Sequence, residues 1–227
     1  MNNQVNAQAG VNRFYAKIYA ILALGLGVSA ATAYLTINVF PQQIMQFVSR
    51  FPLGVMGLWL VEIALVLLLG IKGQKNPSLA TAGFVAYSVV NGIVLAFTLG
   101  YYNVGDITTA FIASAATFLG MAAVGMFTKR DLSALGRVMY GALMGIIVAM
   151  LLNIFVLHSG PVDMFIAILM VIVFAGITAY DNQRIQAIYL QSGGQAGTGT
   201  AVFLALQLYL DFINLFLAFL RIFGKNN

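Results

Sequence analysis

The chain has 227 residues, 61% of them hydrophobic and 7% charged, with a formal net charge of +5, one histidine and no cysteine. Soluble domains carry about 25% charged residues, so this composition excludes a water-soluble globular domain. Without cysteine there is no disulfide and no thiolate metal site, and the basic residues sit in short loops where they set membrane topology, so the positive charge does not point to nucleic acid.

Residues 18–49, 76–105, 107–128, 138–162 and 185–210 contain no Asp, Glu, Lys or Arg. Several of these runs exceed the ~20 residues that a spanning helix needs. They are continuously apolar rather than alternating, which excludes a β-barrel. The expected fold class is all-α: a polytopic membrane protein with seven transmembrane helices, forming one domain over residues 13–227. Residues 1–12 are mostly polar and are expected to be a disordered tail. The first apolar run is too long for the core of a signal peptide, so it should remain as a helix.

In chain order the spans are read at 16–39, 52–72, 78–100, 106–128, 137–157, 162–190 and 200–223. Pro41 and Pro52 bracket the first loop. Asn76-Pro77-Ser78 makes a turn that starts the third span. The segment from Thr128 to Arg137 is the most charged loop. His158-Ser159-Gly160-Pro161 separates the fifth and sixth spans, and Ser192 to Thr200 reads as a flexible linker. Gly141 with Gly145, and Ala116 with Gly120, have the spacing that lets helix backbones approach closely. Asn38, Asn91 and Asn153 are expected to make interhelical hydrogen bonds. No internal repeat is visible, which weakens the case for an inverted-repeat transporter.

Orientation follows from the basic residues. Arg13, Lys17, Lys72, Lys75, Lys129, Arg130, Arg137 and Arg184 fall on one side, and Arg50, Arg221 and Lys225 on the other. The positive-inside rule then predicts a multi-pass protein of the cell (plasma or inner) membrane, with a cytoplasmic N-terminus and an external C-terminus.

Three of the six acidic residues, Asp106, Asp131 and Asp163, belong to loops or helix starts, where negative charge is favourable. Glu62, Asp181 and Asp211 lie inside spans. A carboxylate at the centre of a membrane helix costs roughly 2.5–3.5 kcal/mol on insertion scales, and such a residue is by default a candidate for function. Gln207, Asp211 and Asn214 share one face of the last span. From the expected helix ends, Asp181, Glu62 and Asp211 lie at ~13, ~15 and ~16 Å from the cytoplasmic side, at 1.5 Å per residue. The short connection between the sixth and seventh spans favours antiparallel neighbours. If Asp181 and Asp211 face each other, both cannot stay ionised cheaply, and they titrate as a unit. Such a pair can hold one proton, or bind a divalent cation such as Ca²⁺ as a candidate metal site. Hard cations take several oxygen ligands, and Glu62, Asn214, Gln207 and backbone carbonyls are available to add to the two aspartates. Tyr180 and Tyr209 flank the aspartates and can donate to them. The structural alternatives are an Asp181–Arg184 pair three residues apart, and a hydrogen-bonded packing role for Glu62.

The segments TKRDLSALG, VIVFAGITAYDNQRI and LQLYLDFINLFLAFLRIFG resemble the signature of the Bax inhibitor-1 (TMBIM, lifeguard-like) family. Helix number and loop spacing extend the resemblance over essentially the whole chain, and the short loops and brief tail are similar to those of bacterial members. The resemblance implies seven helices with the last helix central. It implies a pH-sensitive Ca²⁺ leak gated by a di-aspartyl pair, carried here by Asp181 and Asp211. Bacterial relatives linked to membrane-protease regulation and eukaryotic relatives that suppress cell death belong to the same resemblance. In the family a basic residue on the second helix latches the aspartates. Here that span has Glu62 in its interior and Lys72 only at its end, where its long side chain can reach inward, so Lys72 is kept as a supporting residue and the latch role is not assigned.

The expected function is therefore a pH-sensitive calcium (cation) leak channel or transporter. No cofactor is required, Ca²⁺ is the bound or permeant ion, and the partners are the lipid bilayer and the calcium ion. The alternative is a non-conducting membrane adaptor that regulates a membrane-protein partner such as a protease. A retinal receptor is disfavoured because the last span has no lysine before Lys225. No histidine lies in a span and no glycine-flanked serine motif is present, so no enzyme is expected.

Overall fold

The computed structural model describes residues 2–51 and 53–224. Pro52 and Lys225, which entered the expected loop boundary and charge balance, lie outside the described residues. The described chain is helical: α1 (Asn2–Asn38), α2 (Pro41–Arg50), α3 (Gly54–Lys72), α4 (Pro77–Leu99), α5 (Val104–Phe127), α6 (Ser133–Leu152), α7 (Gly160–Gln191) and α8 (Thr198–Phe223). A 3₁₀ turn, Gly73–Lys75, extends α3, and a π-helical turn, Asn153–Leu157, extends α6. Seven of these helices, all but α2, are long and apolar enough to cross a membrane. Helices satisfy their own backbone, the condition for crossing hydrocarbon.

Two expectations are corrected. The first helix starts at Asn2, so residues 2–12 are helical rather than disordered. From Gly10 onward the helix is packed: Val11 and Phe14 are buried, the Phe14 ring lies 5.2 Å from that of Tyr189, and Gly10 sits against the Tyr189 hydroxyl. The first loop contains α2, an amphipathic helix. Pro41 occupies its first turn, where a missing N–H costs nothing, and so starts a helix instead of only ending one. Ile44 and Phe47 of α2 are half-buried, whereas Gln42, Gln43, Gln46, Ser49 and Arg50 are exposed.

Local chemistry fixes the other ends. Asn76 caps α4 by accepting from the Leu79 N–H at 3.1 Å, with Pro77 behind it. Asn103 caps α5, accepting from the Asp106 N–H at 2.9 Å and donating to its carboxylate at 2.6 Å. After α7, Gly193 and Gly194 take φ of +63° and +80°, and the Gly194 N–H returns to the Tyr189 carbonyl at 3.0 Å. Glycine supplies that left-handed stop without strain.

The helices divide into two compact units. The first comprises residues up to Tyr101 with Tyr189–Tyr209, and the second Tyr102–Ile188 with Leu210 onward. In the first, α4 packs on α1 and α3, and Tyr209 meets the edges of Phe84 and Tyr87 at 5.8 and 5.6 Å. In the second, Phe212 meets Phe111 and Phe118, each at 5.7 Å. As expected of the last helix, α8 is the most buried span: 67% of its most apolar stretch is buried, against 44% in α4 and α7.

The close helix approaches are not at the expected small-residue pairs. A side chain added at Gly120, Gly141 or Gly145 would meet nothing within 4 Å. Close approach occurs instead at Gly92, whose added Cβ would lie 2.6 Å from the Ser29 carbonyl oxygen, and at Gly125, which abuts the Ala179 carbonyl. Spacing marks which face can approach a neighbour, but not whether a neighbour is there.

Candidate functional site

In the first unit a line of buried and half-buried polar groups crosses four helices. Glu62, midway along α3, accepts from Asn91 Nδ2 of α4 at 2.7 Å. Asn91 Oδ1 accepts from the Tyr209 hydroxyl of α8 at 2.6 Å. That hydroxyl is also 2.6 Å from Ser29 Oγ of α1, which bonds the Ser88 carbonyl at 2.7 Å. Asn91 thus makes the interhelical bonds expected of it. Asn38 bonds the Tyr34 carbonyl of its own helix, and Asn153 bonds Ser159 in the turn that follows. Asn91→Leu would leave both Glu62 and Tyr209 without their shared partner. Thermal unfolding in detergent should show a loss of about 2–6 kcal/mol, at roughly 1–3 kcal/mol for each of the two groups.

The second unit holds the aspartates. Asp181 on α7 and Asp211 on α8 are 3% and 4% exposed. The charge of Asp181 acts on Asp211, and both act on the Tyr140 hydroxyl of α6. That hydroxyl lies 3.2 Å from each Asp181 oxygen. Asp211 Oδ2 is buried with no hydrogen-bond partner, a status it shares among the described residues with Gln207 Oε1, one turn earlier on α8. Glycine makes room for this packing. Gly125 of α5 lies against Ala179 and Asn182, and Gly136 of α6 lies under the Tyr180 ring, so both helices close on α7 beside Asp181.

The loop before α6 is tied to α7. Gln183 accepts from the Leu132 N–H and donates to the Arg130 carbonyl, both at 2.8 Å. In that loop the Ser133 side chain and N–H both hydrogen-bond Asp131, and hold its carboxyl below the usual range.

The two aspartates therefore lie in one unit and act on each other, while the charge of Arg184, three residues on and exposed, also acts on Asp181 without coming within salt-bridge distance. Among the described residues the ion pair is Arg221–Asp163, at 3.1 Å. The tyrosine assignments change. Tyr209 bonds Asn91 and Ser29 rather than an aspartate, because two residues along a helix face nearly opposite ways. Tyr180 packs its ring on Gly136 and on the edge of Tyr140, at 6.3 Å. The donor to Asp181 is Tyr140, which the sequence reading missed. Its one signal was a phenol in an otherwise apolar run, where a hydroxyl needs a partner. Asn214 spends its amide on the Leu210 carbonyl, at 2.8 Å. Lys72 ends α3 and is exposed. Glu62 belongs to the first unit, and no group of three Asp, Glu or His among the described residues could hold a metal ion.

Over residues 11–227 the chain matches the model of the family described as inhibitor of apoptosis-promoting Bax1. A membrane protein of Streptococcus pyogenes serotype M1 is 40% identical over 230 residues, covering 100% of both chains. YrjE of Lactococcus lactis is 40% identical over 215 residues, 95% of this chain and 92% of its own. Inner membrane protein YbhL of Escherichia coli is 35% identical over 225 residues, 97% of this chain and 95% of its own. With seven apolar helices long enough to span and a family match across nearly its whole length, the chain belongs to the Bax inhibitor-1 family of multi-pass membrane proteins.

Proposed function

We propose that the chain is a pH-sensitive cation leak for Ca²⁺, controlled by Asp181 and Asp211. The observation that supports it is the pair itself: two buried carboxylates within each other's field, one of them with an acceptor atom unsatisfied. In a low-dielectric site two such charges are relieved by a shared proton or by a cation. The residues fit a hard cation in kind, since they offer carboxylate oxygens, with Tyr140 holding Asp181 in place. At low pH the pair holds protons and attracts cations weakly. At higher pH it is more anionic and binds Ca²⁺ more strongly. The basic loops are assigned to the cytoplasm, and the N-terminus with them.

The test is Ca²⁺ flux into liposomes carrying the purified protein, read on both sides of neutrality. Asp181→Asn and Asp211→Asn should each reduce the pH-dependent part of the flux by about tenfold or more, equivalent to ~1.4 kcal/mol. If flux and its pH dependence survive both substitutions, the pair is not the gate. The reading that remains is then an adaptor whose membrane-protein partner co-purifies with both variants.

A further inference from the structure

Between α1, α4 and the start of α8, all within the first unit, lies an apolar cavity of about 360 Å³. Ile21, Leu24 and Val28 form one wall, and Phe84 and Val85 the other. Leu24 and Val85 are exposed, so the cavity opens on the outer face of the helices, where lipid lies. Its volume is that of a small-molecule site, and its lining on α1 runs from Lys17 to Val28. From Lys17 to Val28 is eleven residues, or ~16 Å at 1.5 Å per residue, close to half of a ~30 Å hydrocarbon core.

Its polar lining side chains are Lys17, Thr81, Ser88 and Thr198; Thr81 and Ser88 donate to carbonyls of their own helix, Pro77 and Phe84. Lys17 Nζ donates to Thr198 Oγ1 at 2.7 Å. An ammonium has three donors, so two remain for another acceptor. No carboxylate of this unit is available to take them. The unit carries five basic residues, Arg13, Lys17, Arg50, Lys72 and Lys75, and one acidic residue, Glu62, which is engaged by Asn91 in mid-span. Next to Thr198, Gly199 packs against the backbone of Gly73 and Gln74. The turn bearing Lys72 and Lys75 therefore meets the same end of α8. An apolar channel one leaflet deep, closed by an unneutralised ammonium, is complementary to an anionic amphiphile.

We propose that this groove is a binding site for an anionic phospholipid of the leaflet on the Lys17 side. One acyl chain lies between α1 and α4, and the phosphate is held by Lys17 and Thr198. The site is separate from the aspartate pair, and its test reads no ion flux, so it stands or falls apart from the cation leak.

The experiment is native mass spectrometry of the full chain in detergent, with phosphatidylglycerol or phosphatidylcholine of matched chain length added. The expected result is one retained lipid per chain, with phosphatidylglycerol favoured about fivefold, the factor due to one basic residue at a lipid surface. Lys17→Gln should remove the preference and keep the weak binding. Ala20→Phe, which fills the groove wall, should remove binding of both lipids. Inorganic phosphate should displace neither. Melting curves of both variants establish that they are folded. No preference between the lipids, or a preference that survives Lys17→Gln, overturns the proposal. So does phosphate displacing the lipid, or a dimer that Ala20→Phe dissociates, since the groove would then hold a free anion or a second chain.

Discussion

Asp211→Asn is expected to melt later than the natural chain at neutral pH, by about 1–3 kcal/mol. The magnitude is that of an unsatisfied buried acceptor. The substitution keeps the shape of the side chain, removes a buried charge that acts on Asp181, and lets the amide turn its NH2 towards the Asp181 carboxylate as a donor. The gain should shrink as the pH is lowered, because protons neutralise the natural pair and the repulsion disappears without mutation. The same variant loses pH-dependent flux under the proposed function. Stability and activity thus move in opposite directions, as expected where a strained group is kept for use. Thermal unfolding in detergent at several pH values reads the effect. An Asp211→Asn chain that melts earlier at neutral pH would mean that the carboxylate is already compensated, and the account of an unsatisfied acceptor would have to be abandoned.

Gly125→Ala should be the most damaging of the small substitutions. The added methyl would run into the Ala179 carbonyl and press on Asn182, two residues flanking the turn of α7 that carries Asp181. Alanine gains roughly 0.8–1 kcal/mol over glycine in helix propensity, but a clash with backbone has no rotamer to relieve it. Overpacking of this kind typically costs 1–3 kcal/mol and sometimes more. The clash wins, with a net loss of about 2 kcal/mol in the melting experiment. Gly141→Ala is the control. Its added methyl meets nothing within 4 Å, so it should be neutral or stabilising by up to ~1 kcal/mol. Equal losses from the two substitutions would show that α5 does not approach α7 as described.

The residues that were legible in the sequence are those whose physics is local or one-dimensional. Hydropathy and charge located seven spans, because hydrocarbon tolerates few charges. Helix rise let Asp181 and Asp211 be compared along the chain, and the structure has the two act on each other within one unit. What escaped depends on neighbours distant in sequence. The helix at residues 2–12 has too few apolar residues to declare itself, and the packing on Tyr189 begins only at Gly10 and Phe14. Tyr209 was paired with Asp211 because the two are close along the chain, although the helix turns them apart. Tyr140 lies 41 positions before Asp181, and nothing in its own span points to it. The short helix α2 was lost for another reason: proline was taken as punctuation at a position where it initiates.

That short helix also bears on how the molecule is held in its bilayer. A segment with Ile44 and Phe47 turned inward and glutamines outward suits the boundary between headgroups and acyl chains. It joins α1 to α3 like a float between two posts. Sliding either post along the bilayer normal would drag the float into oil or lift it into water, so the protein has a preferred depth. A thinner or thicker membrane must then be met by tilt or by local deformation of the lipid, which makes bilayer thickness a quantity to which this protein is mechanically sensitive.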